Sequence, residues 1–257
     1  MTYHCNVNTR DELGHLSNTL NYMATKLADT EEYQRNFISN ISHDFRSPLT
    51  SIKGYLTAIL DGVIPADMQS RYLEIVIKET ERLTDLTQGL LTLNKLDGKN
   101  TRLSLKNFDV QQVIRDTCET FEGRCSAKDI TLDLTFYEET LIVYADKGKI
   151  EQVIYNLLDN AIKFSNEHST IWITTDTKGG KGFISIKDEG CGIPKNCIKK
   201  IWDRFFKADT SRGKDKKGTG LGLAITKEII TAHNQTIDVI STEGVGTEFI
   251  FTLQKGA

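Results

Sequence analysis

What most restricts the folding of this chain is a change of hydrophobic period near Asp97. Upstream, apolar residues recur three and four apart; downstream, they alternate every second position over short stretches. Leu13, Leu16, Leu20, Met23 and Leu27 have the spacing of a coiled-coil seam, which one helix cannot bury alone. A second stretch runs through Phe37, Ile41, Phe45, Leu49, Ile52, Leu56, Ile59 and Val63, and Pro48 within it is expected to kink the helix without ending it. The break falls at Asp61-Gly62 and Pro65. Tyr72, Val76, Leu83, Leu86, Leu90 and Leu93 then resume the helical period, so residues 31–96 read as a helical hairpin. Apolar stripes this wide predict a homodimer joined through a four-helix bundle.

Gly98-Lys99-Asn100 reads as the loop that divides this part from the next. Beyond it Ile171 and Ile173, Ile184 and Ile186, Ile237 and Val239, and Phe249, Phe251 and Leu253 each point to one face of a strand. Helices are expected near 109–127, 147–164 and 221–233. The whole predicts a multidomain chain: an all-α hairpin, then an α+β sandwich with a helical layer on one mixed or antiparallel sheet.

Composition narrows the function classes. A formal net charge of −3 supplies no bulk field for nucleic acid, so anionic ligands must be bound locally. The five cysteines include no C-x-x-C pair, which argues against a disulfide framework or zinc site and fits a reducing, cytoplasmic setting. No apolar run approaches the ~20 residues that span a bilayer. Because the chain starts inside a patterned helix, a membrane anchor is expected upstream of it, with this part facing the cytoplasm.

Three glycine-bearing segments stand out in the second half: Asp188-Glu-Gly190-Cys-Gly192-Ile-Pro194, Gly218-Thr219-Gly220-Leu221-Gly222-Leu223, and Gly244-Val-Gly-Thr247-Glu-Phe249. Each puts small residues where backbone must approach something closely. The second opens directly into an apolar helix, whose free N–H groups and positive dipole end suit a triphosphate. Upstream, Asn156, Asn160 and Lys163 share one face of a helix whose Val153, Leu157 and Ile162 are core-like. An asparagine oxygen there can hold Mg²⁺, which takes few protein ligands. In the hairpin, His43 lies two positions from both Ile41 and Phe45, about 200° around the helix, and so projects away from the seam. An exposed imidazole can attack phosphorus through one ring nitrogen while a carboxylate, here Asp44, orients the other.

Taken in order, these segments resemble the N, G1, F and G2 boxes of the histidine-kinase ATP-binding domain of the GHKL superfamily, with Phe205-Phe206-Lys207 as the F box. Ser42-His43-Asp44-Phe45-Arg46-Ser47-Pro48-Leu49 resembles the H box that carries the phosphorylated histidine. Asp11-Glu12-Leu13-Gly14 with Leu16, Leu20 and Met23 looks like the second helix of a HAMP relay module. The implied division is residues 1–30 for that helix and a signalling helix, 31–97 for dimerisation and phosphotransfer, and 98–257 for ATP binding. The resemblance implies ATP-dependent phosphorylation of His43, then transfer to an aspartate of a response-regulator receiver domain. It implies that Asp188 binds the adenine amino group, Asn160 holds Mg²⁺, Lys163 contacts phosphate and Phe164 lies against the base. Asn156 and the first glycine box (Gly190, Gly192) belong to the same site by this likeness. The resemblance further implies that Gly218, Gly220 and Gly222 shape a flexible lid over the nucleotide, that Phe206, Lys207, Thr219, Leu221 and Leu223 belong to the same nucleotide site, and that Thr247 reaches adenine through water.

Three positions depart from the family pattern. Asp44 stands for the usual Glu and keeps its charge; Ser47 stands for the usual Thr and keeps its hydroxyl; Lys207 replaces a common Arg and lacks its bidentate fork. His233-Asn234-Gln235 replaces a His-Gly-Gly turn, with a local change of loop shape expected. Ser47, four positions after His43, matches the residue on which phosphatase activity toward the regulator depends. The competing readings are a gyrase- or chaperone-type ATPase and a scaffold that binds nucleotide without using it. The first commonly has a glutamate base where this chain has Asn156, and an amide cannot take a proton from water. The second would lack His43, Asn160 or Asp188, and all are present.

Overall fold

A computed structural model of the chain describes residues 5, 9, 11–96, 103–207 and 218–256; the dividing loop expected at Gly98-Lys99-Asn100 lies outside them. The fold separates into two compact units, Met1–Leu83 and Thr84–Ala257.

In the first unit, α1 (Glu12–Leu60) is one continuous helix of 49 residues that passes through Pro48 without ending. The seam residues and the His43 segment, read as two stretches, share it. Asp11 starts it by accepting from the backbone N–H groups of Leu13 and Gly14 at 3.2 and 3.1 Å. It stops at Asp61, where Gly62 takes φ +69°, a left-handed conformation that suits glycine. Helix α2 (Ala66–Leu96) follows Pro65, and Tyr72 on it meets Tyr55 of α1 with ring centroids 5.3 Å apart. A single hairpin leaves much of the apolar stripe uncovered. Leu13, Leu16, Leu20, Met23 and Leu27 are 49–65% exposed, and Leu49, Leu56, Leu73 and Ile77 are exposed as well. A hollow of about 870 Å³ bordered by Phe45, Leu49, Gly54, Ala58 and Val63 belongs to the same uncovered surface.

Residues 84–96 of α2 belong to the second unit, where Leu86 and Leu93 are fully buried. There the chain runs β1 (Leu105–Asp109), α3 (Val110–Thr120), α4 (Glu122–Ser126), β2 (Thr131–Phe136), β3 (Ile142–Asp146), α5 (Lys147–Phe164), β4 (Thr170–Lys178), β5 (Lys181–Asp188), α6 (Gly222–Ala232), β6 (Ile237–Thr242) and β7 (Gly246–Gln254). The main sheet has the order β2-β4-β5-β7-β6, with β2 parallel to β4 and the other pairs antiparallel. Strands β1 and β3 form a separate antiparallel pair. None of β1, β2 and β3 was signalled by periodicity: β1 and β2 are largely exposed, so their faces carry little contrast. The stretch expected as one helix over 109–127 is two, divided at buried Phe121, whose ring stacks on Tyr155 at 4.8 Å.

Helix α5 shows why this layer packs. Ile150, Val153, Ile154, Leu157, Leu158, Ala161 and Ile162 are all buried, a helical stripe at intervals of three and one. Ile171, Ile173, Ile184, Ile186, Phe251 and Leu253 supply the alternating buried face of the sheet. Burying each such side chain stabilises the fold by roughly 1.5–3 kcal/mol.

Candidate functional site

Helix α5 carries Asn156, Asn160, Lys163 and Phe164, so whatever fixes α5 fixes them. Its first turn is capped by Asp146, whose carboxylate accepts from Lys149 N–H at 3.2 Å. At the other end, Lys128 Nζ donates to the carbonyl oxygens of Ile162 and Lys163 at 2.7 and 3.1 Å, a cation on the negative end of the helix dipole. Sequence reading missed Lys128, because a lone lysine in a loop gives no sign of the helix end it meets. Asn160 is half-buried, and its side-chain amide makes no hydrogen bond among the described residues. Lys163 Nζ stands 5.5 Å from the centre of the Phe164 ring.

Asn156 is used differently. Its Nδ2 donates to the Gly222 carbonyl at 3.2 Å, so it ties α5 to the start of α6. The spacing had grouped it with Asn160 and Lys163 at the border of a pocket, but a helical face says nothing about which neighbour claims an amide.

The first glycine segment leaves β5 at Asp188, which is 6% exposed. Burial pushes its carboxyl up to about 6, although backbone N–H groups of Gly190 and Thr247 donate to it and pull the other way. Ser165, just past α5, bridges to Gly190, and a Cβ on Gly190 would stand 2.5 Å from the Phe164 carbonyl oxygen. Only glycine lets the strand end approach the helix end this closely. Thr247 is buried opposite Asp188 in the β5–β7 register.

In the second glycine segment, Gly220 has φ +68°, and its carbonyl accepts from Phe205 N–H at 2.9 Å. Phe205 is buried and itself at φ +63°, so within the F-box segment its backbone holds the glycine loop, while Phe206 and Lys207 are half-buried beside it. The sequence offered no way to tell Phe205 from Phe206. Thr219 Oγ1 accepts from Leu221 N–H at 3.3 Å, and no side-chain hydrogen bond from the N-cap, Leu221, caps α6. The Leu221 side chain is buried, with its Cδ1 facing Gly89 of α2, which leaves only its backbone for a ligand. Gly218, Gly222 and Leu223 are half-buried at the same helix start, and Gly192 is buried at φ +64°. Unclaimed N–H groups at a helix start favour an anion.

In the first unit, His43 is 83% exposed and Asp44 14%, with His43 Nδ1 3.3 Å from Asp44 Oδ1. The outward projection read from the helix period is present. Ser47 is exposed one turn further on, and Pro48 is buried. No helix among the described residues is long and apolar enough to cross a membrane.

Comparison with known proteins finds a family match in each half of the chain. Residues 145–257 match the family described as histidine kinase-, DNA gyrase B-, and HSP90-like ATPase, and residues 33–99 match the His Kinase A (phospho-acceptor) domain. The chain belongs to the sensor histidine kinases. It is similar to the sensor histidine kinase WalK of Bacillus subtilis, at 36% identity over 235 residues covering 90% of this chain and 38% of that protein. WalK of Staphylococcus haemolyticus is 36% identical over 89% of this chain and 38% of its own length. This histidine-kinase chain therefore spans less than half the length of these relatives. Among solved structures, the Acinetobacter baumannii histidine kinase AdeS superposes with a TM-score of 0.70 at 27% identity, over 84% of this chain and 98% of that one. The catalytic domain of histidine kinase ThkA gives a TM-score of 0.54 at 32% identity, over 60% of this chain and 97% of that one. ThkA in complex with the response regulator protein TrrA gives 0.71 at 25% identity, over 90% and 66%.

Proposed function

We propose that this chain binds ATP in its second unit, phosphorylates its own His43 and passes the phosphoryl group to an aspartate of a response-regulator receiver domain. The observation that carries the reading is an exposed His43 with a carboxylate 3.3 Å from Nδ1; a buried Asp188 and an α6 N-terminus with no side-chain cap in the other unit support it. With its Nδ1 proton held on Asp44, His43 presents the Nε2 lone pair to solvent. Nε2 forms the bond to the γ-phosphorus, and the bond from that phosphorus to the bridging oxygen breaks with its electron pair leaving on ADP. Positioning and charge stabilisation supply most of the acceleration in phosphoryl transfer.

In this reading Asp188 accepts from the adenine amino group, with Thr247, Gly190 and Gly192 shaping the base pocket around it. Lys163 and the backbone N–H groups from Gly218 through Leu223 meet the phosphates, and Phe164, Phe206 and Lys207 border the nucleotide. Asn160 would hold Mg²⁺, which neutralises phosphate charge; an amide oxygen with no hydrogen bond to satisfy fits that ion. Asn156 provides no carboxylate base and already donates to Gly222, which favours transfer over hydrolysis. The uncovered stripe of the hairpin supports a homodimer, as does the phospho-acceptor match over residues 33–99. Residues 1–30 are assigned to a HAMP second helix and signalling helix, 31–97 to dimerisation and phosphotransfer, and 98–257 to ATP binding. The complete protein is anchored in the membrane upstream and has phosphatase activity toward its regulator through Ser47.

The test is incubation with ATP labelled at the γ-phosphate, followed by a panel of receiver domains. The chain is expected to acquire acid-labile, base-stable label that moves to a receiver. His43→Gln should acquire none while still binding ATP; the same label on that variant removes His43 from the reaction.

A further inference from the structure

Two hydrogen bonds fix the tautomer of His233, at the C-terminal end of α6. Its Nδ1 lies 2.7 Å from the Ile229 carbonyl oxygen, which can only accept, so Nδ1 carries the proton. Its Nε2 lies 3.0 Å from the backbone nitrogen of Asp146, which can only donate, so Nε2 presents a lone pair. Asp146 is the cap of α5, and its carboxylate also accepts from Ser104 N–H at 2.9 Å. The other end of α6 is held at Gly222, whose carbonyl accepts from Asn156 in the middle of α5 at 3.2 Å. Helix α6 is thus tied to α5 by a polar bond at each end. The apolar contacts between them resist separation but not sliding, because hydrophobic burial has no direction. Hydrogen bonds do.

We propose that His233, as the neutral Nδ1–H tautomer, is a positioning residue that sets the lie of the glycine-bearing start of α6 against Asn160 and Lys163, and thereby nucleotide affinity. This rests on the nucleotide reading above. The turn after His233 is built without glycine: Asn234 takes the left-handed conformation at φ +56°, and Gln235 Oε1 accepts from Thr252 Oγ1 of β7 at 3.0 Å.

The test uses the full chain. His233→Gln places an amide oxygen close to the position of Nε2 and keeps an acceptor for Asp146, whereas His233→Phe keeps a ring of similar volume and offers none. Calorimetric titration with ATP and Mg²⁺ should show about tenfold weaker binding for the Phe variant, the loss of one hydrogen bond and an unsatisfied partner, and less than about threefold for Gln. Hydrogen exchange at the Asp146 amide should accelerate in the Phe variant alone, and ¹⁵N spectra of the unsubstituted chain should show the proton on Nδ1. His233→Asn, too short to reach Asp146, replaces the Phe variant should that one not fold. A folded Phe or Asn variant that binds ATP normally, a Gln variant as weak as Phe, or a proton on Nε2 would overturn the role. Failure of the unsubstituted chain to bind ATP would instead remove the nucleotide reading, and this proposal with it.

Discussion

Asp188→Asn separates what this carboxylate does for a ligand from what its burial costs the fold. Burial raises Asp188 from the ordinary 3.8 to about 6, so ionising it is harder in the folded than in the unfolded chain. The sign follows from linkage. Below 3.8 the group is protonated in both states and contributes nothing; between 3.8 and about 6 the unfolded chain ionises first, and stability falls as pH rises; above 6 the full cost is present. A displacement of this size corresponds to about 3 kcal/mol. Asparagine keeps an oxygen for the Gly190 and Thr247 N–H groups and does not titrate. Urea unfolding of both proteins from pH 4 to 8 should therefore show the stability of the unsubstituted chain, relative to the variant, falling by about 2.5 kcal/mol across that range, part of the loss being already present at pH 4. Taking the difference cancels the other carboxylates, such as Glu138, which the Thr177 hydroxyl and Lys255 hold below its ordinary value. An adenine amino group donating to Asp188 would favour the ionised form, so ATP binding near pH 6 should release protons, and the variant should bind more weakly while being more stable at pH 8. A stability difference that stays flat from pH 4 to 8 would refute the reasoning.

Gly220→Ala should cost about 1–2 kcal/mol from the left-handed conformation alone, and its methyl would stand 2.8 Å from the Phe205 backbone. Calorimetry should find ATP affinity reduced with the fold retained. Lys128→Met removes the cation from the α5 carbonyls and should destabilise the second unit by roughly 1.5–3 kcal/mol, read by urea unfolding. Ser47→Ala should lower dephosphorylation of purified phospho-regulator while leaving autophosphorylation intact, and Ser47→Thr should maintain or raise it, since threonine's methyl stiffens the hydroxyl. Equal dephosphorylation rates in all three proteins would remove Ser47 from that step.

Sequence alone determined what depends on near neighbours. The period of three and four placed His43 off the seam, and Asp61-Gly62-Pro65 placed the hairpin turn, because helix geometry and backbone sterics act over a few residues. The isoleucine pairs of β4 and β5 and the stripe of α5 were legible for the same reason, each element having one strongly buried face. Strands β1 and β2 were not, since short, largely exposed strands carry little contrast between their faces and are stabilised by partners far along the chain. Tertiary structure alone decided which polar groups are consumed inside the fold and which remain for a ligand. Asn156 and Asn160 are the same residue type on one helical face, yet the first is bound to Gly222 and the second has no partner among the described residues. Phe205, Lys128 and His233 acquire their places only when α6, the end of α5 and Asp146 are brought beside them. A hydrogen bond has two ends, and for His233 the second is 87 residues away.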